Sequence, residues 1–404
     1  IRLTLMNFLQ YAVWGAWLIS LGAYLGNTLK FDGLQIGSFF ATMGIASLFM
    51  PAVMGIIADR WIPAQRLLGL CHLFAAGFIT LAATRTDYNS LYTLVLLSVM
   101  FYMPTIALSN SVAYNALEKA GLDTVTHFPP IRVWGTVGFI CAMWVVDLGK
   151  MGLSATQLYF SATLGLILGL YSFTLPNCPI NRSGGGKSIV DLLGLRAFAL
   201  FKQRKMAIFF IFSMLLGMSL QITNAFADGY IKSFGDTGIH GAKYLGTFGV
   251  EHSTILISLS QISETLCILL IPFFLKRFGI KRVMLIAMFA WVLRFALLGA
   301  GNPGPGVWMF ILSMIVYGVA FDFFNISGSL FVEKETSAAI RSSAQGVFMI
   351  MTNGLGALIG SYLAGWVVNH YGWPLSWYLF AGFSLVVAIV FAVIFKYKHD
   401  PNRI

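Results

Sequence analysis

Charge is what this sequence has least of. Only 10% of its residues are charged, against about 25% in an average soluble domain, and 58% are hydrophobic. Cysteine is scarce as well: Cys71, Cys141, Cys178 and Cys267 form no CxxC and no ligand-spaced set with histidine, so neither a disulfide framework nor a metal site is expected. No nucleophile–base pair stands out, which argues against an enzyme. No segment is large enough for a nucleotide domain, which argues against an ATP-driven pump. The one phosphate-loop-like run, Gly186-Lys187-Ser188, has Asn181 where the loop needs glycine, and no strand precedes it.

Long apolar runs are abundant. A span needs ~20 mainly apolar residues, and twelve stretches qualify or nearly do: Leu3–Leu29, Leu34–Ala58, Leu67–Thr84, Leu91–Ala116, Phe128–Val146, Gln157–Leu175, Met206–Ala227, Ser253–Leu275, Val283–Ala300, Gly306–Val332, Ser342–Val368 and Pro374–Phe395. An all-α integral membrane protein follows, with the lipid bilayer as its solvent. The first stretch is too long for a signal-peptide core and is expected to remain as a span. Nineteen Lys and Arg fall in loops on the side that holds both termini and five on the other, which places both ends in the cytoplasm. The formal charge of +11 is therefore a topological signal, and no nucleic-acid partner is read from it.

Four charges lie inside these stretches: Arg132, Glu264, Arg294 and Asp322. A charge at mid-membrane costs ~2.5–3.5 kcal/mol on insertion scales, so it usually faces a partner or a water-filled path. Two acids and two bases point to a polar cavity that handles protons or a polar solute. That makes the chain a transporter candidate.

The segment Pro176–Lys205 separates an N-terminal six-helix half, 1–175, from a C-terminal half, 206–404. Asn181-Arg182-Ser183 and Gly184 to Gly186 read as flexible linker, and Ile189 to Phe201 as a short amphipathic helix on the cytoplasmic surface. Two loops are alike. One reads Gly55-Ile56-Ile57-Ala58-Asp59-Arg60 with Arg66 beyond; the other reads Leu275-Lys276-Arg277-Phe278-Gly279-Ile280-Lys281-Arg282. Together they resemble the major facilitator signature G-x-x-x-D-R-x-G-R-[KR]. The first copy has Trp61-Ile62-Pro63 in place of the later Gly-Arg, and the second lacks the acid. The resemblance implies the major facilitator fold, twelve transmembrane helices in two halves, with substrate near the midplane. It also implies that spans 3, 6, 9 and 12 lie outside the cavity. That leaves Arg294, on span 9, with a structural role: an ion pair with a neighbouring helix or a head-group contact.

Longer runs are more specific: Gln10-Tyr11-Ala12-Val13-Trp14-Gly15-Ala16-Trp17, Phe128 to Thr136, Leu220 to Asn224, Ser260 to Glu264, and Tyr317-Gly318-Val319-Ala320-Phe321-Asp322-Phe323-Phe324-Asn325. These resemble the bacterial nucleoside:proton symporters from span 1 to span 12. The Arg-x-Trp-Gly pattern at Arg132 is shared with oligosaccharide:proton symporters, so a sugar permease is the alternative. A drug:proton antiporter would carry a proline-bearing motif in span 5, which here reads Gly135 to Ile140 without one.

Residue chemistry fits a nucleoside. Gln221 and Asn224, and likewise Gln261 and Glu264, are three apart on one helical face. Amides offer donors and acceptors to a base edge, an ionised Glu264 suits a ribose diol, and Phe139, Tyr317 and Phe321 offer stacking faces. Arg132 and Thr136 complete the expected substrate set. Asp322 is the expected proton carrier, with Arg132 as its partner when deprotonated. Each residue has a plainer reading, since lone amides often join helices and aromatics at helical spacing often only pack. His72 reads as a hydrogen-bonded packing residue, and Gly356 with Gly360 as a GxxxG helix contact. The expected activity is proton-coupled uptake of purine and pyrimidine nucleosides by a functional monomer in a bacterial inner membrane, with protons as coupling ion and no other cofactor.

Overall fold

A backbone that crosses hydrocarbon must close its own hydrogen bonds, and a helix does so within one segment. The computed structural model describes residues 1–180, 195–337 and 340–398, and among them helices are the only regular elements. Helix α1 spans Arg2–Gly15 and continues, after a turn, through a π-helical segment Tyr24–Thr28. Then follow α2 Gly33–Arg60, α3 Ala64–Ala83, α4 Tyr88–Lys119, α5 Thr124–Leu148 and α6 Thr156–Ser172. Asp87 and Asp123 cap α4 and α5, accepting from the backbone N–H groups of Ser90 and Thr126.

Helix α7 spans Arg204–Ser233. The next helical stretch, Ser253–Ala300, is broken at Gly279 into α8, 253–278, and α9, 280–300. Helix α10 is Val307–Glu335. Helix α11 is assembled from Arg341–Met349, a π-helical segment Ile350–Gly356 and Ala357–Tyr371, and α12 is Leu375–Ile394. Nine of the described helices are long and apolar enough to cross a membrane, with Ser253–Ala300 counted once although it makes two crossings. Helices α1, 14 residues, and α6, 17 residues, are too short for that count, and with them the crossings are the expected twelve.

Two compact units emerge, Ile1–Phe31 with Thr42–Leu193, and Asp32–Ala41 with Gly194–Ile404. In the first, α1 packs on α5 and α6, and α3 on α4 and α6. In the second, the α8–α9 hairpin packs on α10 and α12, and α7 on α11. The opening turns of α2 belong to the second unit, where Asn369 Oδ1 accepts from the Gly33 N–H. The first and fifth helices of each set of six meet backbone to backbone. A Cβ at Gly15 would stand 2.4 Å from the Phe139 carbonyl oxygen, and one at Gly138 2.1 Å from that of Phe8. In the second unit a Cβ at Gly217 would stand 2.3 Å from the Thr352 oxygen, and one at Gly360 2.2 Å from that of Met218. Gly356 and Gly360 thus make the close contact expected of their spacing.

Both signature copies fall where two helices join. The first closes α2 and turns through Trp61-Ile62 to Pro63, which starts α3. The second differs from the expected loop. It stays helical on both sides of Gly279, whose φ of 77° and ψ of 167° make the whole turn. Few residues other than glycine enter that region. The linker differs as well. A 3₁₀ helix, Leu195–Lys202, stands at the end of the segment expected to be helical from Ile189. The glycines Gly184 to Gly186 and the start of that segment lie outside the described residues.

Helix α7 also runs past its expected end at Ala227. Its extra turns bring Asp228 and Lys232 into the helix, paired at 2.5 Å, and Asp228 accepts from Ser253 Oγ at 2.5 Å and Thr254 Oγ1 at 3.1 Å. Asp147 likewise lies within α5. Asp147 and Asp228 are thus buried within helices in addition to the four charges read from hydropathy.

Candidate functional site

In the first unit the expected residues gather on the α1–α5 contact. The Arg132 guanidinium lies over the Tyr11 ring, 3.9 Å from its centroid. Glycine at 135 makes this possible, because a Cβ there would stand 2.5 Å from the Tyr11 ring and 2.8 Å from an Arg132 nitrogen. One turn on, Thr136 is half-buried, and Phe139 is buried with Trp14 meeting it edge-on at 6.3 Å. Tyr11 and Trp14, which the expected set lacks, join the site through these contacts. Their signal is present in the span 1 run, but it takes Gly15 of α1 with Gly135 and Gly138 of α5 to bring those rings against Arg132 and Phe139.

Behind them runs a buried hydrogen-bond chain. Gln10 Nε2 donates to Thr105 Oγ1 at 2.8 Å, leaving Gln10 Oε1 to accept from His72 Nε2 at 2.7 Å. Tyr102 donates its hydroxyl to the Gln10 carbonyl at 2.7 Å. His72 is thus hydrogen-bonded inside the helix packing, as expected.

In the second unit the two amides on α7 find each other. Asn224 Nδ2 donates to Gln221 Oε1 at 3.1 Å, which leaves Gln221 Nε2 as donor and Asn224 Oδ1 as acceptor for other partners. Gln261 and Glu264 are half-buried on α8. Asp322, 5% exposed on α10, has no hydrogen-bond partner for Oδ2 among the described residues. Glu264 and Asp322 interact electrostatically with each other and with Tyr317. Tyr317 stacks on Phe321 with centroids 5.5 Å apart and planes 10° from parallel, and Trp291 meets Tyr317 edge-on at 6.0 Å. The unit therefore combines an amide pair, two acids and an aromatic shelf.

Arg294 departs from its expected partners. It is 2% exposed, which removes it from lipid head groups, and no acid pairs with it among the described residues. Instead Nη1 donates to the Ser313 carbonyl at 2.7 Å and the guanidinium lies 4.7 Å from the Tyr317 ring centroid. Charge alone does not reveal a partner that is a carbonyl and a ring face.

The nucleoside H+ symporter family model matches residues 1–400. The chain is 50% identical to nucleoside permease NupG of Escherichia coli (strain K12) over 406 residues, covering 99% of this chain and 96% of that protein. It is 50% identical to the xanthosine permease of the same organism over 410 residues, covering 100% and 97%. A crystal structure of nucleoside transporter NupG superposes with a TM-score of 0.91 at 51% identity, covering 98% of this chain and 99% of that one. The fold is thus the major facilitator fold, as the signature copies implied. The chain belongs to the nucleoside H+ symporter family, whose members are membrane transporters and not enzymes.

Proposed function

We propose that this chain carries a nucleoside and a proton together across the bacterial inner membrane, with both termini in the cytoplasm. The observation that carries the reading is the juxtaposition in the second unit of stacked Tyr317–Phe321 with the interacting carboxyls of Glu264 and Asp322. A base can stack on the shelf while the free amide positions of Gln221 and Asn224 meet its edge. Glu264 supplies acceptors for the ribose hydroxyls. Asp322 takes the proton, because a buried carboxylate whose Oδ2 has no hydrogen-bond partner among the described residues is costly and a proton removes the charge.

Sugar transport fits less well. A sugar offers the shelf C–H groups rather than a π face, and its hydroxyls lack the fixed donor–acceptor edge that paired amides match. Nucleoside-named relatives at 50% identity support the same choice.

The test uses purified protein in liposomes with an inward proton gradient and labelled uridine. A potential of ~100 mV supplies ~2.3 kcal/mol per proton, enough for roughly 50-fold accumulation. Asp322→Asn should still bind uridine but fail to accumulate it. Proton-driven accumulation surviving in that variant would remove Asp322 from coupling. Tight disaccharide binding with no nucleoside response would return the protein to the sugar reading.

A further inference from the structure

Arg294 is the buried cation that the proposed chemistry leaves unused. Its backbone and side chain are both engaged with α10: Nη1 donates to the Ser313 carbonyl at 2.7 Å, and Ser313 Oγ donates back to the Arg294 carbonyl at 3.0 Å. Its Nε has no hydrogen-bond partner among the described residues. The guanidinium face lies on Tyr317, one turn beyond Ser313, with 4.7 Å to the ring centroid. Tyr317 is therefore held on several sides, by Arg294, by the edge of Trp291 at 6.0 Å and by the stacked ring of Phe321 at 5.5 Å.

Packing α9 on α10 needs no charge. An apolar side chain of similar volume would fill the space without desolvating a guanidinium. The charge acts on something, and the neighbouring group with an electron-rich face is Tyr317. That ring also feels the carboxyls of Glu264 and Asp322. Arg294 is thus a fixed positive charge set against the acids, with the tyrosine ring in electrostatic contact with all three.

We propose that Arg294 is a positioning residue for nucleoside binding: its guanidinium clamps the Tyr317 ring and, through it, the Phe321 ring, in the orientation that presents a stacking face beside Glu264 and Asp322. This rests on the nucleoside reading given above. A helix expected to lie outside the cavity thereby sets the shape of the site.

The experiment is a double-mutant cycle on uridine Kd by calorimetry, with Arg294→Met and Arg294→Lys made in the natural chain and in Tyr317→Leu. A desolvated cation–π contact of this kind corresponds to about tenfold or more in Kd for Arg294→Met. Arg294→Lys should lose less, since it keeps the charge and a donor for Ser313. In the Tyr317→Leu background Arg294→Met should add nothing, because the two residues act as one unit. Unchanged Kd in both Arg294 variants overturns the proposal, and so does an equal loss in both backgrounds. If Arg294→Met fails to fold, Arg294→Lys decides. If the natural chain binds no uridine, the nucleoside reading fails, and the clamp is judged separately from the ¹⁹F resonance of 3-fluorotyrosine at position 317. A line narrowed by freer ring motion in Arg294→Lys supports the clamp, and an unchanged line overturns it.

Discussion

Glu264 and Asp322 stand on different helices of one hairpin-and-helix group, close enough to act on each other and on Tyr317. Their assigned tasks differ, one holding ribose hydroxyls and the other a proton, and substitution separates them. A charged hydrogen bond to a buried partner is worth about 1.5–3 kcal/mol, or about ten- to a hundredfold in affinity. Glu264→Gln should therefore weaken ribonucleosides by that factor and weaken analogues lacking the ribose hydroxyls much less. Competition binding against labelled uridine checks this, and equal losses for both ligand classes would make Glu264 a structural residue. The amide pair has its own logic. Because Asn224 donates to Gln221, a joint flip of both amides still leaves one donor and one acceptor, with their places exchanged. A pair that can present either order suits both purine and pyrimidine edges.

At the scale of elements, the α7–α11 crossing depends on bare backbone. A Cβ at Gly360 would stand 2.2 Å from the Met218 carbonyl oxygen, whereas one at Gly382, on α12, meets nothing within 4 Å. Overpacking of this kind costs about 1–3 kcal/mol. Gly360→Ala should lower the melting temperature of detergent-solubilised protein while Gly382→Ala leaves it level or raises it. Equal shifts would mean the crossing tolerates separation. Gly279 is a different case, because its cost lies in φ and ψ. Gly279→Ala should destabilise by about 1–3 kcal/mol through backbone strain, read from the same melting curve.

These elements also show what was legible beforehand. Twelve apolar stretches were readable because bilayer thickness dictates their length. The α8–α9 bend was not, since Lys276, Arg277, Lys281 and Arg282 around Gly279 look like a loop until the helix is seen to continue. Hydropathy ends α7 at Ala227 because Asp228 reads as a stop, whereas its bonds to Lys232, Ser253 and Thr254 let the helix continue through it. Site residues were legible as types and spacings. The ring faces that hold Arg132 and Arg294 were not, because they come from other helices.

For the whole molecule, the excess of basic residues in alternate loops makes a topological prediction. A green fluorescent protein fused after the last helix should fluoresce in intact cells, and alkaline phosphatase fused in the connection between α9 and α10 should be active. The reverse pattern would invert the orientation and with it the direction assigned to uptake. The buried arginine of α9 has a consequence for biosynthesis as well. As the chain leaves the ribosome, α8 and α9 emerge as one hairpin with no loop between them, and α9 arrives with a guanidinium about two-thirds of the way along it. Of the groups that cover that guanidinium, Ser260 is already present on α8, whereas Ser313 and Tyr317 lie on α10 and are not yet made. Until they are, α9 in lipid bears an insertion penalty of ~2.5–3.5 kcal/mol. The apolar remainder of the hairpin offsets that penalty, and the arginine gains its full cover only when α10 packs against it.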